Sequence, residues 1–104
     1  MAKRREHITI NGENFIIENA TVSKNLRDKR FQTLDICYKR PSYAKRIIYD
    51  YWENWFMELG ANMAECGVGV YNCMQFTYHG YFNYEGAEYY AVITRCYNRL
   101  YRVA

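Results

Sequence analysis

One segment, residues 43–59, orders its apolar and polar side chains with the period of an α-helix. At about 100° per residue, the apolar side chains form one continuous arc, which only Lys45 interrupts, and charged and amide side chains occupy the opposite arc. The apolar arc consists of Tyr51, Ala44, Trp55, Ile48, Leu59, Trp52, Phe56 and Tyr49. This pattern predicts a long amphipathic helix over residues 42–59, with Ser42 as its N-cap and Gly60 just beyond its end.

The N-terminal third carries the period-two alternation that is typical of β-strands. Ile8–Ile10 and Asn14–Ile17 flank Asn11-Gly12, the dipeptide that suits a type I′ turn because both of its residues tolerate a positive φ. Residues 31–38 also alternate, with Leu34, Ile36 and Tyr38 on one side. The sequence therefore predicts a hairpin followed by a third strand.

The C-terminal part alternates in the same way over two longer segments, 67–81 and 87–103. A turn near residues 83–86 separates them, which predicts a long C-terminal hairpin over 67–103. Strands, one helix and more strands indicate an α+β fold. We expect a single domain over 1–104, an antiparallel sheet of about four to five strands with the helix packed on one face.

Composition explains how 104 residues can build a sizeable core, since 12 Tyr, 5 Phe and 2 Trp are present. No apolar run is long enough for a membrane span, and the basic start is not followed by the apolar stretch of a secretory signal. We therefore expect a cytoplasmic protein without membrane contact. In that reducing compartment the four cysteines, Cys37, Cys66, Cys73 and Cys96, are expected to be free thiols.

The net charge of +3 is distributed unevenly. Residues 1–46 hold 11 Lys/Arg against 5 Asp/Glu, whereas residues 47–104 hold 3 against 6. The basic side chains concentrate around the third strand and the helix start, which favours one positive surface or a merely solvated one. This basic patch consists of Lys24, Arg27, Lys29, Arg30, Lys39, Arg40, Lys45 and Arg46.

Residues that could perform chemistry are few. His79 and Cys73 share a strand face but are separated by about 20 Å, so only Cys96 from a neighbouring strand could approach His79. The cysteines lack the close spacing of zinc ligands, and the Gly-X-Gly of residues 67–69 opens a strand instead of leading into a helix. We therefore expect no catalytic residue, no metal and no cofactor.

The last predicted strand carries a row of alternating rings and guanidinium groups. On a continuous strand these side chains project from one face, and they consist of Tyr89, Arg95, Tyr97, Arg99 and Tyr101. Such a face suits an acidic protein surface or stacked bases of a single-stranded nucleic acid, and it is also compatible with the solvated side of a half-buried sheet.

The outward side of the predicted helix is a third candidate surface, because apolar side chains lie among its acidic ones. This helix outer face consists of Tyr43, Ile47, Asp50, Glu53, Met57 and Glu58. A face of this kind could dock onto a basic protein surface, and it could equally be covered by a second copy of the chain in a homodimer.

The dense aromatic segments Tyr81–Tyr84 and Glu88–Arg95, together with a single Trp-rich helix, resemble the small Tyr-rich proteins of bacteriophages and other mobile elements. The chain is similar in scale to the anti-CRISPR proteins among them, which inhibit host defence nucleases and lack enzymatic motifs. This resemblance implies a non-enzymatic inhibitor that acts sterically on a host nucleic-acid-handling defence protein. The alternatives are a small single-stranded nucleic-acid-binding protein that uses the Arg/Tyr face and, third, a small enzyme.

Overall fold

The computed structural model describes residues 5–23, 43–71, 75–94 and 96–104. One α-helix, one 3-10 helix and six strands lie in these ranges. In chain order they are β1 (Glu6–Ile10), β2 (Glu13–Val22), α1 (Tyr43–Glu58), the 3-10 helix Met63–Glu65, β3 (Gly67–Tyr71), β4 (Gln75–Tyr84), β5 (Ala87–Ile93) and β6 (Asn98–Val103).

Two tight turns join neighbouring strands through residues with positive φ. Asn11 and Gly12 adopt φ values of 45° and 83° between β1 and β2, which confirms the hairpin that their dipeptide predicts. Glu85 and Gly86 adopt 50° and 82° between β4 and β5, within the predicted turn region. Both turns have the backbone signature of a type I′ hairpin, whose twist matches that of the paired strands.

The six strands form one sheet in the order β1-β2-β6-β5-β4-β3. Four neighbouring pairs are antiparallel, whereas β2 and β6 run parallel, with Ile16 opposite Arg99 and Val22 opposite Val103. The α+β class is confirmed, and the predicted antiparallel sheet of about four to five strands is matched only in part, because the sheet has six strands and one of its pairs is parallel. The sheet is mixed because the N-terminal hairpin joins it beside the C-terminal strand.

The predicted C-terminal hairpin over 67–103 is also corrected. Each of its two long arms is divided into two strands, so that four strands form where two were expected. The predicted third strand at 31–38 and the predicted cap Ser42 lie outside the described residues. The helix itself, Tyr43–Glu58, closely matches its predicted span, and Gly60 follows it with a φ of 73°.

Helix α1 packs one narrow side against the sheet through aromatic rings. Trp52, Trp55 and Phe56 are buried, and the Trp55 ring lies 5.3 Å from the rings of both Phe15 and Phe82. The predicted apolar arc is wider than this buried side. Ile48 and Tyr51, which the helical period assigns to it, are exposed to solvent.

The opposite face of the sheet carries a second, smaller apolar cluster, which contains Val22, Tyr90, Val92 and Tyr101. Cys66 is a free thiol, while Cys37 and Cys73 lie outside the described residues. Within the described ranges, no helix has both the length and the apolar character that crossing a membrane requires.

Gly80 lies where the sheet closely approaches the segment that follows α1. An added Cβ at this position would overlap Cys66 Sγ and come within 3.1 Å of the Phe56 ring. We therefore expect Gly80→Ala to lower the free energy of unfolding by about 1–3 kcal/mol, measured by urea denaturation.

A double-mutant cycle provides the control for this prediction. Cys66→Ala removes the overlapping sulfur atom, so Gly80→Ala should cost less stability in the Cys66→Ala background than in the native chain. An equal loss of stability in both backgrounds would show that the Cys66 thiol is not what makes an added Cβ unfavourable at Gly80.

Candidate functional site

The Arg/Tyr row of the C-terminal segment is divided between the two faces of the sheet. A turn at residues 94–97 separates β5 from β6, so Ile93 and Asn98 face each other across the two strands. Tyr89 therefore lies on the helix side, opposite Arg102, whereas Arg99 and Tyr101 lie on the other side, opposite Val92 and Tyr90. The prediction of one continuous face is wrong, and Arg95 lies outside the described residues.

Only part of this row reaches solvent. Tyr101 is 7% exposed and belongs to the second apolar cluster, so it contributes to the core and not to a binding platform. Tyr97 is 40% exposed, and the side chain of Arg99 is partly exposed. The remaining surface, which we call the Tyr97–Arg99 pair, is much smaller than the predicted platform.

The two side chains of the pair contact each other directly. Arg99 Cζ lies 4.1 Å from the centroid of the Tyr97 ring, and Nη2 donates a hydrogen bond to the Tyr97 hydroxyl at 2.5 Å. Arg99 Nε lies 3.4 Å from Glu18 Oε1 on β2. Glu18 is a neighbour that sequence reasoning missed, because only the parallel pairing of β2 with β6 brings it to Arg99.

The predicted basic patch is largely outside the described residues. Its first six members, Lys24 to Arg40, fall there, and Lys45 and Arg46 lie in the first turn of α1. The described ranges contain five Lys/Arg against nine Asp/Glu, so this part of the molecule is acidic. The larger candidate surface on it is therefore the helix outer face.

Among the α1 side chains that the structure describes, residues 47–58, four large apolar ones are exposed. Ile47 and Met57 are each 54% exposed, Tyr51 is 50% exposed and Ile48 is 42% exposed. Asp50 and Glu58 are exposed among them, Glu53 is half-buried, and Tyr43 lies in the first turn of the helix. The Tyr51 hydroxyl donates a hydrogen bond to Glu13 Oε1 on β2, and this bond raises the pKa of Tyr51.

The charges of α1 oppose its helix dipole. Lys45 and Arg46 lie in the first turn, where the dipole favours acidic side chains, and Glu58 lies in the last turn, where it favours basic ones. The unfavourable placement of Glu58 in the last turn costs about 0.3–1 kcal/mol. These charges therefore do not serve the stability of the isolated helix.

The potential nucleophile and base lie on different sides of the sheet. Cys66 contacts Gly80 on the helix side, and burial raises the pKa of its thiol to about 11. His79 lies on the other side, over Gly67, with Nδ1 hydrogen-bonded to the Tyr90 hydroxyl at 3.0 Å. A protonated thiol and an imidazole on the opposite face of the sheet do not form a catalytic pair.

The described members of the candidate zinc-ligand set do not lie together. The residues considered as zinc ligands from the sequence were His79 and three cysteines, of which Cys73 lies outside the described residues. Cys66 and His79 occupy opposite faces, and Cys96 lies in the exposed β5–β6 turn. Within the described ranges, no group of three or more His, Cys, Asp or Glu side chains could hold a metal ion.

Comparisons with protein families, with curated proteins and with solved structures find no match to this chain.

Burial of His79 gives the stability of the fold a specific pH dependence. Burial lowers the pKa of His79 to about 4, whereas in the unfolded chain it is about 6.5. The unfolded state therefore binds a proton first, so stability is retained above pH 6.5 and is lost as the pH falls towards 4. The loss from this residue is on the order of 2–3 kcal/mol.

Replacement of the ring tests this dependence. His79→Gln should flatten the decline in the free energy of unfolding between pH 6.5 and 4, measured by urea denaturation across that range. His7→Gln, which makes the same substitution at an exposed histidine and leaves His79 in place, is the matched control. An unchanged slope in His79→Gln would assign the acid sensitivity to other groups.

Proposed function

We propose that this protein is a non-enzymatic binding module, an inhibitor from a phage or another mobile element. It acts on a host nucleic-acid-handling defence protein and blocks it sterically. The observation that carries the proposal is the set of four apolar side chains on α1 that are between 42% and 54% exposed.

Four exposed apolar side chains on one helix of a small domain indicate a surface that a partner covers. Single exposed apolar residues are common, but clustered ones are typical of interaction sites. Tyr51 adds an aromatic ring, a side chain that is enriched among residues that dominate binding energy. The helix is also held firmly from its inner side by Trp52 and Trp55, so the outer face is preorganised.

A steric mechanism agrees with the state of the reactive groups. The Cys66 thiol is protonated at neutral pH, and the His79 imidazole lies on the opposite face of the sheet. Occupation of a site that the target needs for guide binding, target binding or domain motion requires no bond chemistry, only a rigid surface of matching shape and charge.

Plasmid interference provides a direct test. In bacteria with an active CRISPR–Cas system, expression of the native chain should protect a targeted plasmid from loss. The double variant Ile47→Asp/Met57→Asp should lose this protection, because charged groups at two contact residues weaken binding about tenfold or more.

The control is the double variant Tyr97→Ala/Arg99→Ala, which alters the other surface and should keep protection. Thermal unfolding of each variant verifies that the fold is retained. Plasmid loss that is the same with and without the native chain, in each of several CRISPR–Cas types, would contradict the defence-inhibitor function.

Single-stranded nucleic-acid binding is the second candidate, supported by the guanidinium of Arg99 over the exposed ring of Tyr97. Glu18 weakens this candidate, because its carboxylate lies where a phosphate would otherwise pair with Arg99. We expect oligothymidylate binding, measured by fluorescence anisotropy at low salt, to be unchanged in Tyr97→Ala/Arg99→Ala. Binding that falls steeply with salt and is lost in this variant would favour the second candidate instead.

A further inference from the structure

Four exposed positions on α1 repeat with the spacing of a helix–helix contact. Ile47, Tyr51, Asn54 and Glu58 follow one another at intervals of four, three and four residues, and all four are exposed. Side chains with this spacing lie in one row along a helix, and a second helix can pack its own row against it. We call this row the α1 seam.

The seam is long enough for a short helical partner. Eleven steps along an α-helix span about 16 Å, which two to three turns of a partner cover. Ile48 and Met57, both exposed, lie beside the row and widen its apolar area. A row of this length with apolar neighbours is the pattern of a helix-in-groove contact, in which the partner contributes anchors at matching intervals.

Carboxylates flank the seam on both sides. Asp50 lies on one flank, and Glu13 lies on the other, where it accepts the hydrogen bond from the Tyr51 hydroxyl. The pKa of Tyr51 is raised chiefly by the hydrogen bond to Glu13 and to a smaller extent by the charge of Glu58. Residues 47–58 contain three acidic side chains and no basic one, so the complementary surface is positive.

A second copy of the chain does not meet this requirement. A two-fold dimer brings the same patch of each subunit together, so a parallel pairing of two seams sets Glu58 against Glu58, and an antiparallel pairing sets Glu58 against the apolar Ile47. Like charges disfavour the first arrangement, and burial of a carboxylate against an apolar side chain disfavours the second. The charge pattern therefore distinguishes a basic partner from self-association.

The dipole of α1 supports the same choice. Glu58 lies in the last turn, at the negative end of the helix, where no basic side chain compensates it. A cation supplied by a partner at this end would interact favourably with both the carboxylate and the dipole. A favourable contact that Glu58 makes only in the complex explains why an acidic residue stands where it destabilises its own helix.

We infer that the α1 seam binds a basic amphipathic helix of the target protein, which lies along α1 with its apolar side on Ile47 and Tyr51 and its cations beside Asp50 and Glu58. The inference rests on the proposed function and names the chemistry of the partner. It requires a protein helix and not a nucleic acid, because the flanking charges repel phosphates.

Two designed peptides test the chemistry of the partner. One is an amphipathic helix of about three heptads with Leu on one side and Lys on the other, and the second replaces each Lys with Glu. In fluorescence anisotropy with the full chain, the Leu/Lys peptide should bind and the Leu/Glu peptide should not. Binding of the Leu/Lys peptide should weaken about tenfold in Ile47→Ser.

A charge reversal separates a binding role of Glu58 from a structural one. Glu58→Lys should weaken binding of the Leu/Lys peptide about tenfold, while the midpoint of thermal unfolding rises by a few degrees because a cation now occupies the C-terminal turn. A residue with a merely structural role would lower that midpoint. Glu85→Lys, the same charge change on the β4–β5 turn, is the matched control and should leave binding unchanged.

The outcomes that overturn the inference are distinct from those that overturn the proposed function. Equal binding of the two peptides, or binding that neither Ile47→Ser nor Glu58→Lys reduces, overturns the partner chemistry or its location. A dimer in sedimentation that Ile47→Ser dissociates assigns the seam to a second copy and also overturns it. If plasmid protection depends on Ile47 and Met57 but the Leu/Lys peptide does not bind, the proposed function is supported and this inference fails.

Discussion

The packing of Trp55 among other aromatic rings is the interaction on which the rest of the structure depends. Its ring lies between 5.1 and 5.5 Å from four neighbours, three of which belong to α1 or β2 and one to β4. Because one helix of 16 residues covers the sheet, only large rings fill the space between the two layers. The indole Nε1 has no hydrogen-bond acceptor within the described ranges. The free energy gained by ring packing therefore exceeds the cost of burying one N–H group without an acceptor. By fixing the rotation of α1, this contact also determines which of its side chains face solvent.

Local signals in the sequence were sufficient for the parts of the fold that depend on neighbouring residues. Asn11-Gly12 predicts its turn because only two dihedral angles need to be positive, and the helical period predicts α1 because its contacts lie three and four residues apart. The parallel pairing of β2 with β6 has no such signal, since it joins the two ends of the chain. Glu18 therefore became a neighbour of Arg99 without any local pattern to indicate it.

The candidate site shows the same division. Ile47 and Met57 were predicted to face outward and do so, whereas Ile48 and Tyr51 were predicted to be buried and are exposed. The helical period ranks residues by angle, but it does not show how wide a contact one helix makes with a twisted sheet. The prediction for the Arg/Tyr row was wrong because the turn at 94–97 interrupts the alternation. Odd-numbered residues face the helix before the turn, as Tyr89 does, and face the opposite side after it, as Arg99 and Tyr101 do. Thr94 was the available signal, since its Oγ1 accepts hydrogen bonds from the backbone N–H groups of Cys96 and Tyr97.

The two sides of α1 thus follow different physical requirements. On the inner side, Trp52, Trp55 and Phe56 satisfy the hydrophobic effect, and a change there affects folding directly. On the outer side, Ile47 and Met57 remain more than half exposed and so gain little from folding, and Glu58 opposes the dipole of its own helix. A sequence shaped for stability alone would place polar residues and a C-terminal cation there. Because the inner side holds α1 on the sheet without help from these residues, folding does not explain them, and they are the residues on which the proposed binding function rests.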